Sequence, residues 1–277
     1  MKTRIITAVV GIVVLIGVLF TFDTLIFNLV ITAITLIALH EIYAALGFEK
    51  QGWPLLGVLV PYTFLIMLSS YELFRRLVMP ASFLVVLFYA IYLVVRNGTI
   101  SYQKASGLAM FSGIVIFCFY SFIRLKELLP VEEYGYDAVF FILLILCFAW
   151  GGDTCAYFAG RAFGKHKLCP VVSPKKTVEG AIGGVVCAAV LGFLYGTFFK
   201  NNMIQVTNPG VISAAACAIA AVISMVGDLA ASAIKRNHDI KDYGNLIPGH
   251  GGILDRFDSM IFTAPAIYFA ITFMGIR

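Results

Sequence analysis

Charge is the first thing this sequence lacks: 13% of its 277 residues are Asp, Glu, Lys or Arg, against roughly 25% in an average soluble domain. With 61% hydrophobic residues and a mean hydropathy of +0.94, that shortage excludes a soluble globular domain and indicates a multi-pass membrane protein. The net charge of +5 does not point to nucleic acid, because no soluble face is left to collect it. In such a chain, Lys and Arg report which loops are cytoplasmic.

Other absences narrow the reading further. The six cysteines, Cys118, Cys147, Cys155, Cys169, Cys187 and Cys217, form no CxxC pair and fall mostly inside apolar runs, so no disulfide framework or zinc site is indicated. No convincing small-residue cleavage site follows the basic start Met1-Lys2-Thr3-Arg4 and its apolar run, so that run is expected to remain as a membrane helix. There is no internal repeat, no low-complexity segment and no connection long enough for a soluble domain. Polar residues gather in the C-terminal half rather than at matching places in two halves, which argues against an alternating-access transporter.

What remains is a series of apolar runs. A helix needs about 20 residues to cross the hydrocarbon core, and runs of that order lie near 5–22, 24–46, 53–70, 77–95, 106–124, 136–160, 179–200, 211–235 and 257–275. The expected fold is all-α, a polytopic integral membrane protein with about nine transmembrane helices. Phe22-Asp23-Thr24 reads as the turn of a helical hairpin, and Pro54 and Pro61 interrupt the third run. Residues 1–135 read as an N-terminal transmembrane scaffold, and residues 136–277 as a catalytic region.

An odd number of spans puts the termini on opposite sides. With a cytoplasmic N-terminus, that side receives 14 of the 20 basic residues, Lys50 among them, while Arg277 and five others fall outside. This split predicts a cell-membrane protein with its N-terminus and its loops near 161–178 and 236–256 in the cytoplasm. One polar pair, His40-Glu41, sits inside the second run. It either faces a neighbouring helix or the interface, or lines the path of a lipid.

The stretch from Met225 to Asp258 crowds Asp, Lys, Arg, His and Gly between two apolar runs. Asp228, Asp255 and Asp258 are hard oxygen ligands of the kind Mg²⁺ accepts beside substrate phosphates, and Lys235, Arg236, Lys241 and Arg256 are phosphate-pairing cations. Asp228 lies within an apolar helix, where a carboxylate costs at least about 2.5 kcal/mol unless partnered or hydrated. Asp228, Ser232 and Lys235 recur at helical spacing and share a face. Asp153 precedes Arg161 by the same eight residues that separate Asp228 from Arg236, so each carboxylate sits about 12 Å below its basic boundary, and the two either meet at one depth as an acidic pocket or pair separately with a Tyr or Ser on an adjacent helix. Asp255 and Asp258 are spaced to share a helical turn, with Asp258 alternatively a partner for Arg256. Gly249, Gly251 and Gly252 around His250, with Pro248 ahead of them, suit a rigid turn whose backbone approaches a phosphate.

A second basic segment, Ser173-Pro174-Lys175-Lys176-Thr177-Val178-Glu179-Gly180, reads as a helix start with Ser173 as cap and Pro174 in the first turn. A helix N-terminus flanked by two lysines suits an anion. It is not a Walker A loop, whose Gly-x-x-x-x-Gly-Lys spacing it lacks.

These motifs carry a resemblance. Ser232-x-Ile234-Lys235-Arg236, Lys241-Asp242-x-Gly244 and Ile247-Pro248-x-His250-Gly251-Gly252-Ile253-x-Asp255-Arg256-Phe257-Asp258, with Trp150-Gly-Gly-Asp153 and the segment from Ser173 to Gly180, are similar to the signature of the phosphatidate cytidylyltransferase (CDP-diacylglycerol synthase) family. The resemblance covers roughly the C-terminal half. It implies attack of a phosphatidic acid phosphate oxygen on the α-phosphorus of CTP, with release of pyrophosphate. Phosphoryl-type transfer needs positioning and charge neutralisation more than covalent chemistry, which agrees with a site rich in Asp, Lys and Arg.

On this reading Asp228 and Asp255 are the metal-associated carboxylates, with Asp153 and Asp258 supporting. Lys235, Arg236, Lys241 and Arg256 neutralise phosphate, and His250 donates a hydrogen bond to phosphate or helps protonate pyrophosphate. Ser173, Lys175, Lys176, Thr177 and Glu179 are assigned to CTP by the resemblance, and Ser232, Asp242, Gly251 and Gly252 to substrate binding. The implied cofactor is Mg²⁺, with Mn²⁺ or an additional monovalent cation as alternatives. The implied partners are CTP, phosphatidic acid, the lipid bilayer and a second copy of the chain. A CTP-using enzyme acting on another lipid, such as a CDP-archaeol synthase or a polyprenol kinase, and an ion or lipid transporter are the competing readings.

Overall fold

A computed structural model describes residues 2–48, 52–201 and 208–273. Lys50 and Arg277, counted above for topology, lie outside them. The described chain is almost entirely helical and divides into two compact units, residues 1–123 with 238–256, and residues 124–237 with 257–277. The polar segment 238–256 therefore folds with the N-terminal helices.

The first unit holds α1 (Lys2–Phe20), α2 (Leu25–Ala45), α3 (Trp53–Met67), α4 (Glu72–Val95) and most of α5 (Tyr102–Leu128). The turn between α1 and α2 falls where the sequence predicts it, and the Thr24 hydroxyl caps α2 by accepting from Ile26 N–H at 3.2 Å. Pro54 opens α3 and Pro61 lies within it, so neither residue ends the helix. Polar groups buried between apolar helices find partners on the neighbouring backbone: Asn28 donates to the Met67 carbonyl at 2.9 Å, and Tyr89 to that of Leu55 at 3.0 Å. Lys104, at the start of α5, donates to the Gly47 carbonyl after α2 at 3.0 Å, which puts those two helix ends on one side of the unit.

The second unit begins with the last turn of α5 and continues with a single turn, α6 (Val131–Tyr134), then α7 (Asp137–Phe163), an antiparallel hairpin of β1 (Lys167–Cys169) and β2 (Ser173–Thr177), α8 (Val178–Phe198) and α9 (Pro209–Asn237). After α10 (Leu254–Phe257) the chain returns to it through α11 (Met260–Phe273). Helix α8 is buried along a stripe of Gly180, Gly184, Ala188, Gly192 and Gly196, four residues apart. In lipid there is no hydrophobic drive between helices, so small residues that admit backbone contact hold them together. An added Cβ at Gly184 would lie 2.9 Å from the Ala156 Cβ of α7, and one at Gly192 would lie 2.6 Å from the Ser213 carbonyl of α9. Backbone contact on both flanks of α8 fixes the relative height of α7 and α9.

Six helices, α2, α4, α5, α7, α8 and α9, are long and apolar enough to cross a membrane, and Val9–Phe20, α3 and α11 are shorter apolar helices. Two local expectations are corrected. Ser173 and Pro174 stand in β2, not at a helix start; the cap of α8 is Thr177, whose Oγ1 accepts from Gly180 N–H at 3.1 Å. Asp255 and Asp258 do not share a turn of the last apolar helix, because α10 ends at Phe257 and α11 begins at Met260.

Candidate active site

In the second unit, α7 presents Asp153 and α9 presents Asp228. Lys176, on β2, forms an ion pair with Asp228. Adjacent strand residues point to opposite sides, and accordingly Lys175 is exposed while Lys176 is half-buried. One turn along α9 the Ser232 hydroxyl lies 3.5 Å from Asp228 Oδ1, as the shared helix face requires. A further turn on, Lys235 is 9% exposed and its ammonium stands 3.6 Å from Asp258 Oδ2. Lys235 is therefore a charge partner of Asp258.

The Asp258 carboxylate also accepts the Ser259 N–H at 2.8 Å, and the Ser259 hydroxyl hydrogen-bonds Asp153. Mutual repulsion links Asp228 with both Asp153 and Asp258, while Lys176 opposes it at Asp153 and Lys235 at Asp258. The equal spacing of Asp153 and Asp228 from their basic boundaries thus does bring the two carboxylates within electrostatic reach. Among the described residues, no three His, Cys, Asp or Glu side chains are grouped so as to hold a metal ion by themselves. A partial carboxylate shell is the donor set Mg²⁺ uses when water and substrate phosphate complete it.

The hairpin that aims Lys176 is held by Glu179 in the first turn of α8. Its carboxylate accepts the N–H of Lys165 at 3.0 Å and of His166 at 3.2 Å, and contacts His166 Nδ1 at 2.6 Å. Glu179 therefore ties the end of α7 to the start of α8. Thr177 is buried beneath it, its hydroxyl filling the space that a Cβ on Gly160 or Gly164 would need. Arg236 is exposed at the end of α9.

The first unit contains the remaining signature residues. Pro248 and Gly249, the latter at φ 78°, form the middle of a tight turn closed by His250 N–H donating to the Ile247 carbonyl at 2.9 Å, with Ile247 N–H returning to the Gly251 carbonyl at 2.8 Å. Pro followed by a glycine of positive φ is the sequence a type II turn asks for. Asp255, 8% exposed, closes the loop from inside: its Oδ2 accepts Tyr243 N–H at 2.8 Å and Gly252 N–H at 3.0 Å. His250 Nδ1 lies 2.9 Å from the Thr7 hydroxyl on α1. Lys241, Asp242 and Arg256 are exposed along this loop.

The structure thus gathers Asp153, Lys176, Asp228, Ser232, Lys235 and Asp258 in one unit, and Lys241, Asp242, His250, Gly251, Gly252, Asp255 and Arg256 on the loop of the other. Sequence reasoning overlooked Ser259 and Thr7, which carry no signal beyond being ordinary hydroxyls, and left Glu41 open. Glu41 is buried and accepts hydrogen bonds from the backbone of Ile253 and Leu254. A carboxylate inside an apolar run was the signal that it has a partner.

A profile of the cytidylyltransferase family matches residues 2–274. The phosphatidate cytidylyltransferase of Bacillus subtilis strain 168 is 34% identical over 275 residues, 98% of this chain and 97% of that protein. The phosphatidate cytidylyltransferase of Haemophilus influenzae is 43% identical over 143 residues, 50% of this chain and 48% of its own. That of Staphylococcus haemolyticus is 41% identical over 131 residues, 47% of this chain and 48% of its own.

Proposed function

This chain belongs to the cytidylyltransferase family, and from that premise we propose that it is a membrane-embedded nucleotidyltransferase that joins CTP to phosphatidate, giving CDP-diacylglycerol and pyrophosphate. The observation that carries the mechanism is the group of Asp153 on α7, Asp228 on α9 and Asp258 with Lys176 and Lys235. A phosphate oxygen of phosphatidate forms the new bond to the α-phosphorus of CTP, and the bond from that phosphorus to the pyrophosphate oxygen breaks. A phosphate monoester is already a competent nucleophile, so the chain needs no strong general base.

Asp228, supported by Asp153 and Asp258, would hold Mg²⁺, which would supply neutralisation of triphosphate charge. Lys176 exchanges part of its pairing with Asp228 for a phosphate of CTP, which binds against β2 and the first turn of α8, where the positive end of the helix dipole favours an anion. Ser173, Lys175 and Glu179 shape that edge. Lys235 and Arg236 face phosphate from the end of α9, and Ser232 orients Asp228. The loop contributes Lys241 and Arg256 as cations, Asp242 and the Gly251-Gly252 backbone to substrate, and His250 to the leaving pyrophosphate. Asp255 acts first on the shape of that loop, through the two N–H groups it accepts.

Nine membrane crossings are proposed, the six longer helices together with Val9–Phe20, α3 and α11, with the N-terminus and both motif-bearing loops in the cytoplasm of a cell membrane. The Lys104–Gly47 bond supports this locally, because both residues belong to connections assigned to that side. The family resemblance also carries a homodimer, which light scattering in detergent tests. The activity itself is tested by pyrophosphate release from purified protein. Release that requires both CTP and phosphatidic acid is expected, whereas CDP as the nucleotide product would indicate a kinase instead.

A further inference from the structure

The signature loop is anchored from far outside its own motif. Glu41, near the end of α2, is 5% exposed. Its Oε1 accepts Ile253 N–H at 2.8 Å and its Oε2 accepts Leu254 N–H at 2.7 Å, so one carboxylate satisfies two consecutive backbone donors where α10 begins. A carboxylate offers two acceptor oxygens, whereas Gln offers one acceptor and a donor.

The backbone has been brought close to this group. An added Cβ would lie 2.4 Å from Glu41 Oε1 at Gly252, and 2.6 Å from it at Gly244. Asp255 clips Tyr243 to Gly252 from within, and Glu41 fixes the next two residues to α2. Thr7 adds a contact from α1 to His250. The loop that carries Lys241, His250 and Arg256 is thus held by N-terminal helices that contain none of the signature motifs.

We propose that Glu41 is a positioning residue for nucleotidyl transfer, holding the backbone of Ile253 and Leu254 so that the loop presents its cations in one arrangement. The inference rests on the reading of that loop as catalytic. Glu41 touches no substrate in this account and acts only through the backbone.

The full-length protein in detergent is the test. In the wild type, hydrogen–deuterium exchange at the amides of Ile253 and Leu254 is expected to be at least about tenfold slower than at exposed Asn245, because amides paired to a buried carboxylate exchange only on local opening. Equal exchange at the three positions would overturn the proposal without any variant.

Glu41→Gln places an amide donor against a backbone donor. It is expected to lower kcat by about 30-fold or more, to leave the KM for CTP within about twofold, and to speed exchange at Ile253 and Leu254 but not along α2. Glu41→Asp, which keeps both acceptors on a shorter stem, is expected to recover part of that kcat. A merely structural role would instead lower the yield of folded protein and shift Tm with kcat per CTP-binding site unchanged, which overturns the proposal. Lys241→Ala and Arg256→Ala are measured alongside. If they lose turnover while Glu41→Gln keeps it, the role of Glu41 alone fails; if both keep turnover, the catalytic reading of the loop fails and this inference with it.

Discussion

Lys176 and Asp228 form an ion pair that joins β2 to the apolar helix α9. The neighbouring Lys175 is exposed and turned away from it, so two adjacent lysines with the same local sequence signal have different surroundings. Removing Lys176 leaves Asp228 with less compensation beside Asp153 and Asp258 and also removes a phosphate partner. Removing Lys175 takes away only an exposed charge.

Lys176→Ala is therefore expected to lower kcat/KM for CTP by at least about 100-fold, equivalent to about 2.7 kcal/mol. Lys175→Ala is expected to act mainly on the KM for CTP, by less than about tenfold, because an exposed cation is screened by solvent and salt. Initial rates of pyrophosphate release with CTP varied at saturating phosphatidic acid measure both. Equal effects of the two substitutions would remove the ion pair from the explanation.

The glycine stripe on α8 predicts a stability effect away from the chemistry. A Cβ at Gly192 meets the Ser213 carbonyl at 2.6 Å and Cys217 Sγ at 2.8 Å, whereas one at Gly113 on α5 meets nothing within 4 Å. Gly192→Ala should separate α8 from α9 and destabilise the protein by about 1–3 kcal/mol, the usual cost of overpacking. Gly113→Ala should leave it unchanged or slightly more stable. Thermal unfolding in detergent compares the two, and an unchanged Tm for Gly192→Ala would mean that the α8–α9 contact is looser than described.

Much of this fold was legible because a membrane helix has a simple signature. Uninterrupted apolar runs of about 20 residues forecast the helices to within a few residues, and the hairpin turn at Phe22–Thr24 falls where its polar residues stand. The β1–β2 hairpin was not legible: Ser173-Pro174 and Thr177 are both acceptable helix starts, and only the contacts of Thr177 with Gly160, Gly164 and Gly180 decide between them. The site followed the same division. Asp153 and Asp228 were placed by helical rise alone, and Ser232 by its helix face. The Lys235–Asp258 pair, the commitment of Asp255 to Tyr243 and Gly252, and the reach of Glu41 to Leu254 depend on tertiary placement that no periodicity encodes.

Topology gives a prediction that needs no activity. Single cysteines at Lys165 and at Asn245, in a background without the native six cysteines, are expected to react with a membrane-impermeant thiol reagent only when the cytoplasmic side is exposed. Cysteine at Ser70, between α3 and α4, is expected to react from outside. The basic residues concentrate on the connections that Lys165 and Asn245 represent, which is the basis of the assignment. Reaction of Lys165 and Asn245 positions from opposite sides would break the nine-crossing arrangement.

The sharpest expectation concerns the carboxylates, because they differ in what already occupies them. Asp228 faces one lysine and two other carboxylates, a surplus of negative charge that a bound cation would relieve. Asp255 is taken up, through Oδ2, by two backbone N–H groups of its own loop. Asn is nearly isosteric with Asp, so Asp228→Asn removes charge with little change of shape. It is expected to cut turnover by about 100-fold or more and to raise the Mg²⁺ concentration for half-maximal rate, since one of the few protein ligands Mg²⁺ accepts is gone. Asp255→Asn is also expected to lose turnover, but with the Mg²⁺ midpoint within about twofold of wild type and faster amide exchange at Tyr243 and Gly252, because its first effect is on loop shape. Mg²⁺ titrations of pyrophosphate release on both variants separate the two roles. A shifted midpoint for Asp255→Asn and an unshifted one for Asp228→Asn would move the cation from α9 to the loop.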